Sequence, residues 1–114
     1  MTEIYYHGWR DKSGKANVRR VNGNGKRQAP LRPRRDLDCH SWGFEWGYAG
    51  SGPAQLALAI LADALGDDKL ALRLHQRFKF RVISALPQSQ EWRLSLSDVL
   101  THVEAITREI ESAP

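Results

Sequence analysis

Residues 51 to 65, SGPAQLALAILADAL, place leucine, isoleucine and alanine around the whole circumference of a helix rather than along one stripe. A helix of that kind has no face for water and must be enclosed by other elements. Ser51 or Gly52 can cap its start, Pro53 falls in the first turn where a missing N–H costs nothing, and Gly66 supplies a left-handed stop. The chain must therefore provide a sheet and further helices to bury it.

The flanking sequence supplies candidates for both. Before the helix, Gly43 to Tyr48 alternates Phe44, Trp46 and Tyr48 with Glu45, which predicts a strand with an aromatic face. Further upstream, Glu3 to His7 and Val18 to Val21 are β-prone, and Asn22-Gly23-Asn24-Gly25 predicts a hairpin returning near Arg27 to Leu31. Pro30 and Pro33 make that return strand an edge. After the helix, Asp67 or Asp68 caps a second helix running to about Leu86, before Pro87. Trp92 begins a short extended link, and Ser95 with Asp98 resembles a capping box opening a third helix over about Leu96 to Glu111. The expected fold class is α+β: a small antiparallel sheet from the N-terminal half packed with about three helices, the first of them buried. The length of 114 residues suits a single domain, with a basic β- and loop-rich portion over 1–41 and a strand plus three-helix portion over 42–111.

Charge is unevenly placed. Residues 1–40 carry ten basic side chains against four acidic ones, whereas residues 41–114 carry seven against nine. A cationic N-terminal portion favours polyanions, namely nucleic acid, a nucleoprotein or an acidic protein surface, or it serves solubility alone. Cys39 is the only cysteine, which excludes an intrachain disulfide framework and suits a reducing compartment. The N-terminus lacks the pattern of a signal peptide, and the longest strongly apolar run, Leu56 to Ala62, is too short to cross a bilayer. A cytoplasmic protein with no membrane partner is the expectation.

The stretch FEWGYAGSGPAQLALAIL, followed by ALGDDKLALRLHQRFKF and by Trp92-Arg93-Leu94-Ser95, resembles an uncharacterised prokaryotic and phage domain-of-unknown-function family. The usual form of that signature is F-x-W-G-Y-G-G-S-G-P-A-Q-L-A-L-A-I-L. Phe44, Trp46, Gly47, Tyr48, Gly50, Ser51, Gly52, Pro53, Ala54 and Gln55 match it, and Ala49 stands where glycine is usual. The resemblance covers about Trp42 to Ile106. It implies a phage or mobile-element setting and brings no activity with it.

The candidate sites are surfaces rather than catalytic constellations. Arg19, Arg20, Lys26, Arg27, Arg32, Arg34 and Arg35, with Trp42, form the candidate surface for nucleic acid or a partner. Tyr5, Tyr6 and Trp9 lie before Arg10 in the same spirit, because aromatic stacking beside a cationic groove holds single strands without reading sequence. Gly50, Ser51 and Gly52 open the buried helix, so their N–H groups form a candidate anion-binding turn. The turn lacks the residues of a P-loop or a dinucleotide fingerprint, and a strand-to-helix corner is the reading its residues favour. On the second helix, Leu72, Phe80 and Ile83 share a face with Arg73 and Arg77, a candidate interface patch for a partner or a homo-oligomer. Gln55, polar at the head of an apolar helix, is expected to hydrogen-bond nearby backbone. His7, Cys39, His40, His75 and His102 lack the spacing of a zinc motif, and neither a metal site nor a cofactor is expected. These readings add up to a small, basic, non-catalytic binding protein that engages nucleic acid or a nucleoprotein complex, with inhibition of a CRISPR-like host defence as one role. The alternatives are an anion- or small-molecule-binding domain or enzyme built on the Gly50–Pro53 turn, and a structural homo-oligomeric module.

Overall fold

The computed structural model describes residues 3–113. Three strands come from the N-terminal portion: β1 (Ile4–Arg10), β2 (Ala16–Asn22) and β3 (Arg27–Pro30). Helices α1 (Ser51–Leu65) and α2 (Asp68–Arg81) follow, then β4 (Trp92–Ser95) and α3 (Leu96–Ser112). The sheet runs β3-β2-β1-β4 with every pairing antiparallel. The fold is the α+β class that the sequence implies.

Local chemistry explains most boundaries. Gly23 and Gly25 take positive φ in the turn from β2 to β3, as the Asn-Gly repeat requires. Asp11 organises the turn from β1 to β2, its Oδ1 accepting from Ser13 N, Ser13 Oγ and Lys15 N. Gly66 ends α1 at φ 61, Asp67 Oδ1 accepts from Leu70 N at the head of α2, and Ser95 Oγ accepts from Asp98 N at the head of α3. The cap of α1 is Gly50 rather than Ser51 or Gly52, and it provides no side-chain bond.

Three sequence-based expectations need correction. Gly43–Tyr48 is not a strand: Gly47 adopts φ +86, and its N–H donates to Ile83 O at 3.1 Å. The free edge of β1 is filled instead by Trp92–Ser95, which the sequence suggests is only a link. Helix α2 stops at Arg81, five residues earlier than expected, and a 3₁₀ turn over Ile83–Ala85 follows. Ser84 Oγ donates to Phe80 O there, and the tightened turn directs Ile83 into the core.

Tyr6, Val18, Trp92 and Leu94 from the sheet join Leu56, Leu58, Ile60, Leu61, Leu74, Phe78, Ile83, Val99 and Ile106 from the helical side in one core. Trp46 completes it, fully buried and edge-on to Trp92 at 5.5 Å between ring centroids. Gly8 has to be glycine, since a Cβ there would overlap the Trp92 indole lying across β1. Helix α1 lies inside this packing along nearly its whole length, from Gly52 to Ala62.

Two carboxylates couple the fold to pH. The Ser13 hydroxyl holds Asp11 below the usual carboxylate range, and the Arg34 guanidinium does the same for Asp36. Asp36 faces Arg34 and Arg32, and Arg34 also binds Asp68. A depressed folded value favours the folded state while the group is ionised. That contribution is complete above the unfolded value of about 4 and disappears as pH falls through the lower folded value. The Asp11 and Asp36 contribution to the urea midpoint is expected to hold from neutrality to about pH 5 and to fall below about pH 4. Arg34→Gln should flatten the decline; an unchanged slope would remove Asp36 from the account.

Candidate functional site

Alternation along β1 sends Tyr6 and Gly8 toward the helices and leaves Tyr5, His7 and Trp9 on the opposite face. The register extends that outer face across neighbouring strands. His7 lies opposite Arg19 on β2 and opposite Arg93 on β4, so two arginines flank an imidazole in one row. Above and below the row, the Arg93 guanidinium stands 5.4 Å from the Tyr5 ring centroid and that of Arg19 5.9 Å from Trp9. The His7 and Trp9 rings are 5.0 Å apart and tilted by 33°. Val21, 1% exposed and outside the main core, sits on this face between its cross-strand neighbours Tyr5 and Gln28. Glu91 is the carboxylate at the rim, its Oε2 2.9 Å from His7 Nε2.

The remaining candidate cations divide into four groups. Arg20 turns inward, its Nε 2.9 Å from Asp63 Oδ2 as an ion pair without an aligned hydrogen bond. The same carboxylate accepts from Tyr6 Oη at 2.6 Å, and burial, reinforced by Asp63, raises the Tyr6 hydroxyl above its ordinary pKa. Arg34 is held by Asp36 and by both oxygens of Asp68, while Arg10 is held by both oxygens of Glu45 and by Gln88 O. Arg35 donates to Trp42 O and stacks 4.4 Å from the ring of Trp42, which is 79% exposed. Lys26, Arg27 and Arg32 are exposed. The acidic partners Glu45, Asp63 and Asp68 all come from the second part of the chain, so much of the N-terminal excess charge is consumed within the fold.

The turn that opens α1 is packed by its own loop. A Cβ at Gly52 would lie 2.6 Å from Glu45 Cβ, and one at Gly50 would lie 2.6 Å from the Tyr48 ring, while Ser51 is exposed. Beside it, Arg10, Gly14, Glu45, Tyr48, Gln88 and Ser89 line an open cleft of about 660 Å³. On α2, Phe80 is 63% exposed with Lys79 Nζ 4.2 Å from its ring centroid, and Arg73 and Arg77 are exposed. Leu72 is partly buried and Ile83 is fully buried, so Ile83 does not belong to that surface.

Gln55 is fully buried and its amide is used completely. Its Oε1 accepts from His40 N and Ser41 N, and its Nε2 donates to Pro33 O and Asp38 O. One side chain thereby fixes an irregular segment to α1. Gln55→Leu, similar in size, should destabilise the protein by on the order of 3 kcal/mol, read as a lower urea midpoint with unchanged m. An unchanged midpoint would show that the segment rehydrates without loss.

That segment carries Asp38 and His40 to His75 on α2. His40 Nε2 lies 2.9 Å from His75 Nε2 and 3.3 Å from Asp38 Oδ2. His75 is 5% exposed, and burial lowers its imidazole below the usual histidine range. Its Nδ1 is 2.7 Å from Leu72 O, and since a carbonyl only accepts, the proton resides on Nδ1. Cys39 between the two loop residues is exposed and is not part of the cluster.

The class defined by these features is an α+β module with helices against one face of a four-stranded antiparallel sheet and an aromatic and cationic surface on the other. Within that class, the chain belongs to the family of unknown function DUF6166, whose profile matches residues 6–105. No curated protein and no solved structure matches it. Among the described residues no helix is long and apolar enough to cross a membrane.

Proposed function

We propose that the protein is a non-catalytic binding module for single-stranded nucleic acid, and that it holds the strand against the outer face of its sheet. The observation that carries this reading is the row Arg19, His7, Arg93 bordered by Tyr5 and Trp9, spread over three adjacent strands. Tyr5, His7 and Trp9 are partly exposed, and aromatic rings accept bases by stacking whatever their identity while adjacent arginines neutralise the phosphates that connect them. The rings and guanidinium groups already contact one another, so little side-chain freedom is lost on binding. The same surface would serve on a free strand or on a strand exposed by a nucleoprotein complex, including one of a host defence system. Arg35 on the exposed Trp42 is a second pair of the same type on a different segment.

Fluorescence anisotropy with labelled single-stranded DNA, single-stranded RNA and duplex DNA tests the proposal. Single strands should bind more tightly than duplex, and the affinity should fall steeply between about 50 and 200 mM salt. No binding to either single strand at the lower salt would overturn it. A salt-sensitive preference for duplex would move the contact away from the aromatic face.

A further inference from the structure

We propose that Asp38, His40 and His75 form a binding site for a first-row divalent cation, Zn²⁺ foremost, that fastens the 38–41 segment to α2. The three donor atoms lie within 4.8 Å of one another and come from two places 35 residues apart, the loop before α1 and the middle of α2. Zinc holds imidazole nitrogen and carboxylate oxygen at about 2.0–2.2 Å, which puts tetrahedral donors roughly 3.3 Å from each other. The observed separations of 2.9 Å and 3.3 Å around His40 Nε2 are of that size.

Proton chemistry satisfies this arrangement only in part. With its proton on Nδ1, His75 presents a bare lone pair at Nε2. His40 Nε2 can carry one hydrogen, and that hydrogen can be aimed at His75 or at Asp38 but not at both. A single cation at the centre would accept all three lone pairs at once. The donor set of two imidazoles and one carboxylate suits zinc and its neighbours rather than calcium or magnesium.

The surroundings hold the ligands in place. The Leu72 carbonyl orients the His75 ring, a role commonly filled in metal sites by a backbone carbonyl or carboxylate. Gln55 grips Asp38 through its carbonyl oxygen and His40 through its amide, so both loop ligands hang from one buried side chain. Asp38 and His40 follow the turn over residues 35–37, with a bend at His40, and their side chains converge while Cys39 between them is exposed. Three protein donors leave one position for water.

Chelator-treated, tag-free protein titrated with Zn²⁺ by calorimetry, and with Co²⁺ by visible absorption, tests the assignment. One ion per chain is expected, with the intense visible bands of four-coordinate cobalt and a rise in Tm on adding Zn²⁺. His40→Ala and Asp38→Asn should each weaken binding by about tenfold or more, whereas His7→Ala and His102→Ala should bind as the parent does. Asp38 is half exposed, so its variant keeps the test open if His40→Ala folds poorly. No uptake by the parent protein, or undiminished cobalt bands in Asp38→Asn or in folded His40→Ala, would overturn the proposal.

Discussion

Trp46→Ala should lower the unfolding free energy by about 3–5 kcal/mol and the Tm by on the order of 10–20 °C. Trp46 has no solvent exposure, and its ring is shared by three neighbours. It meets Trp92 edge-on, its Nε1 donates to Pro87 O at 3.1 Å, and Arg10 lies 4.4 Å from its ring centroid. Truncation leaves a cavity beneath β1 and β4, an unpaired carbonyl at Pro87 and an arginine without its aromatic support. A typical domain has about 5–15 kcal/mol in total, so this one change brings the protein near its folding limit. Trp46→Phe, which keeps most of the volume and loses the N–H, should fall between parent and alanine variant. A loss below about 1 kcal/mol for alanine would mean that the 44–50 loop is not anchored as described.

Trp9→Ala should weaken single-strand binding by about five- to 150-fold, the range corresponding to about 1–3 kcal/mol for a stacked base. Its effect on Tm should be small, because Trp9 lies on the face away from the core. Arg19→Ala and Arg93→Ala should act differently. Each should reduce the salt slope by about 0.7, the value for one phosphate on a single strand, and lower affinity evenly across sequences. Arg20→Ala serves as the control on the same strand, since Arg20 projects to the helix side and is occupied by Asp63. If Trp9→Ala and Arg93→Ala bind like the parent while Arg35→Ala does not, the strand lies on the Trp42 pair instead.

Elements with strong local chemistry are legible in the sequence. Helix α1 declares itself by apolarity all round with Pro53 at one end and Gly66 at the other, and the β2–β3 turn by its paired glycines. The elements decided by distant partners are not. Trp92 to Ser95 does alternate inward Trp92 and Leu94 with outward Arg93 and Ser95, but four residues leading into a capped helix carry too little period to identify a strand. Phe44, Trp46 and Tyr48 show the opposite case, a clean alternation that joins no strand of the sheet. Their exposures diverge instead, from fully buried Trp46 to Tyr48 at 44%.

The candidate surfaces follow the same rule. Net charge over residues 1–40 overstates the cationic surface because Arg10, Arg20 and Arg34 find carboxylates that only the fold brings near. Arg93 escapes a reading based on that region, although pairing of β4 with β1 makes it a neighbour of Tyr5 and His7. For Asp38 and His40, their closeness in sequence was the available signal, and their partner on α2 is beyond any local motif.

The pairing of β1 with β4 also bears on how the molecule is assembled in time. Tyr5 meets Ser95 and Gly8 meets Trp92, contacts that close a loop containing most of the chain. Closure over such a separation is slow relative to hairpin or helix formation. During synthesis, β1, β2 and β3 can pair early, yet Gly8 lacks its indole cover and β1 presents an open edge until residues 92–95 leave the ribosome. The first strand made is thus among the last to be completed, and the nascent sheet is most vulnerable to mispairing in the interval before that final edge is sealed.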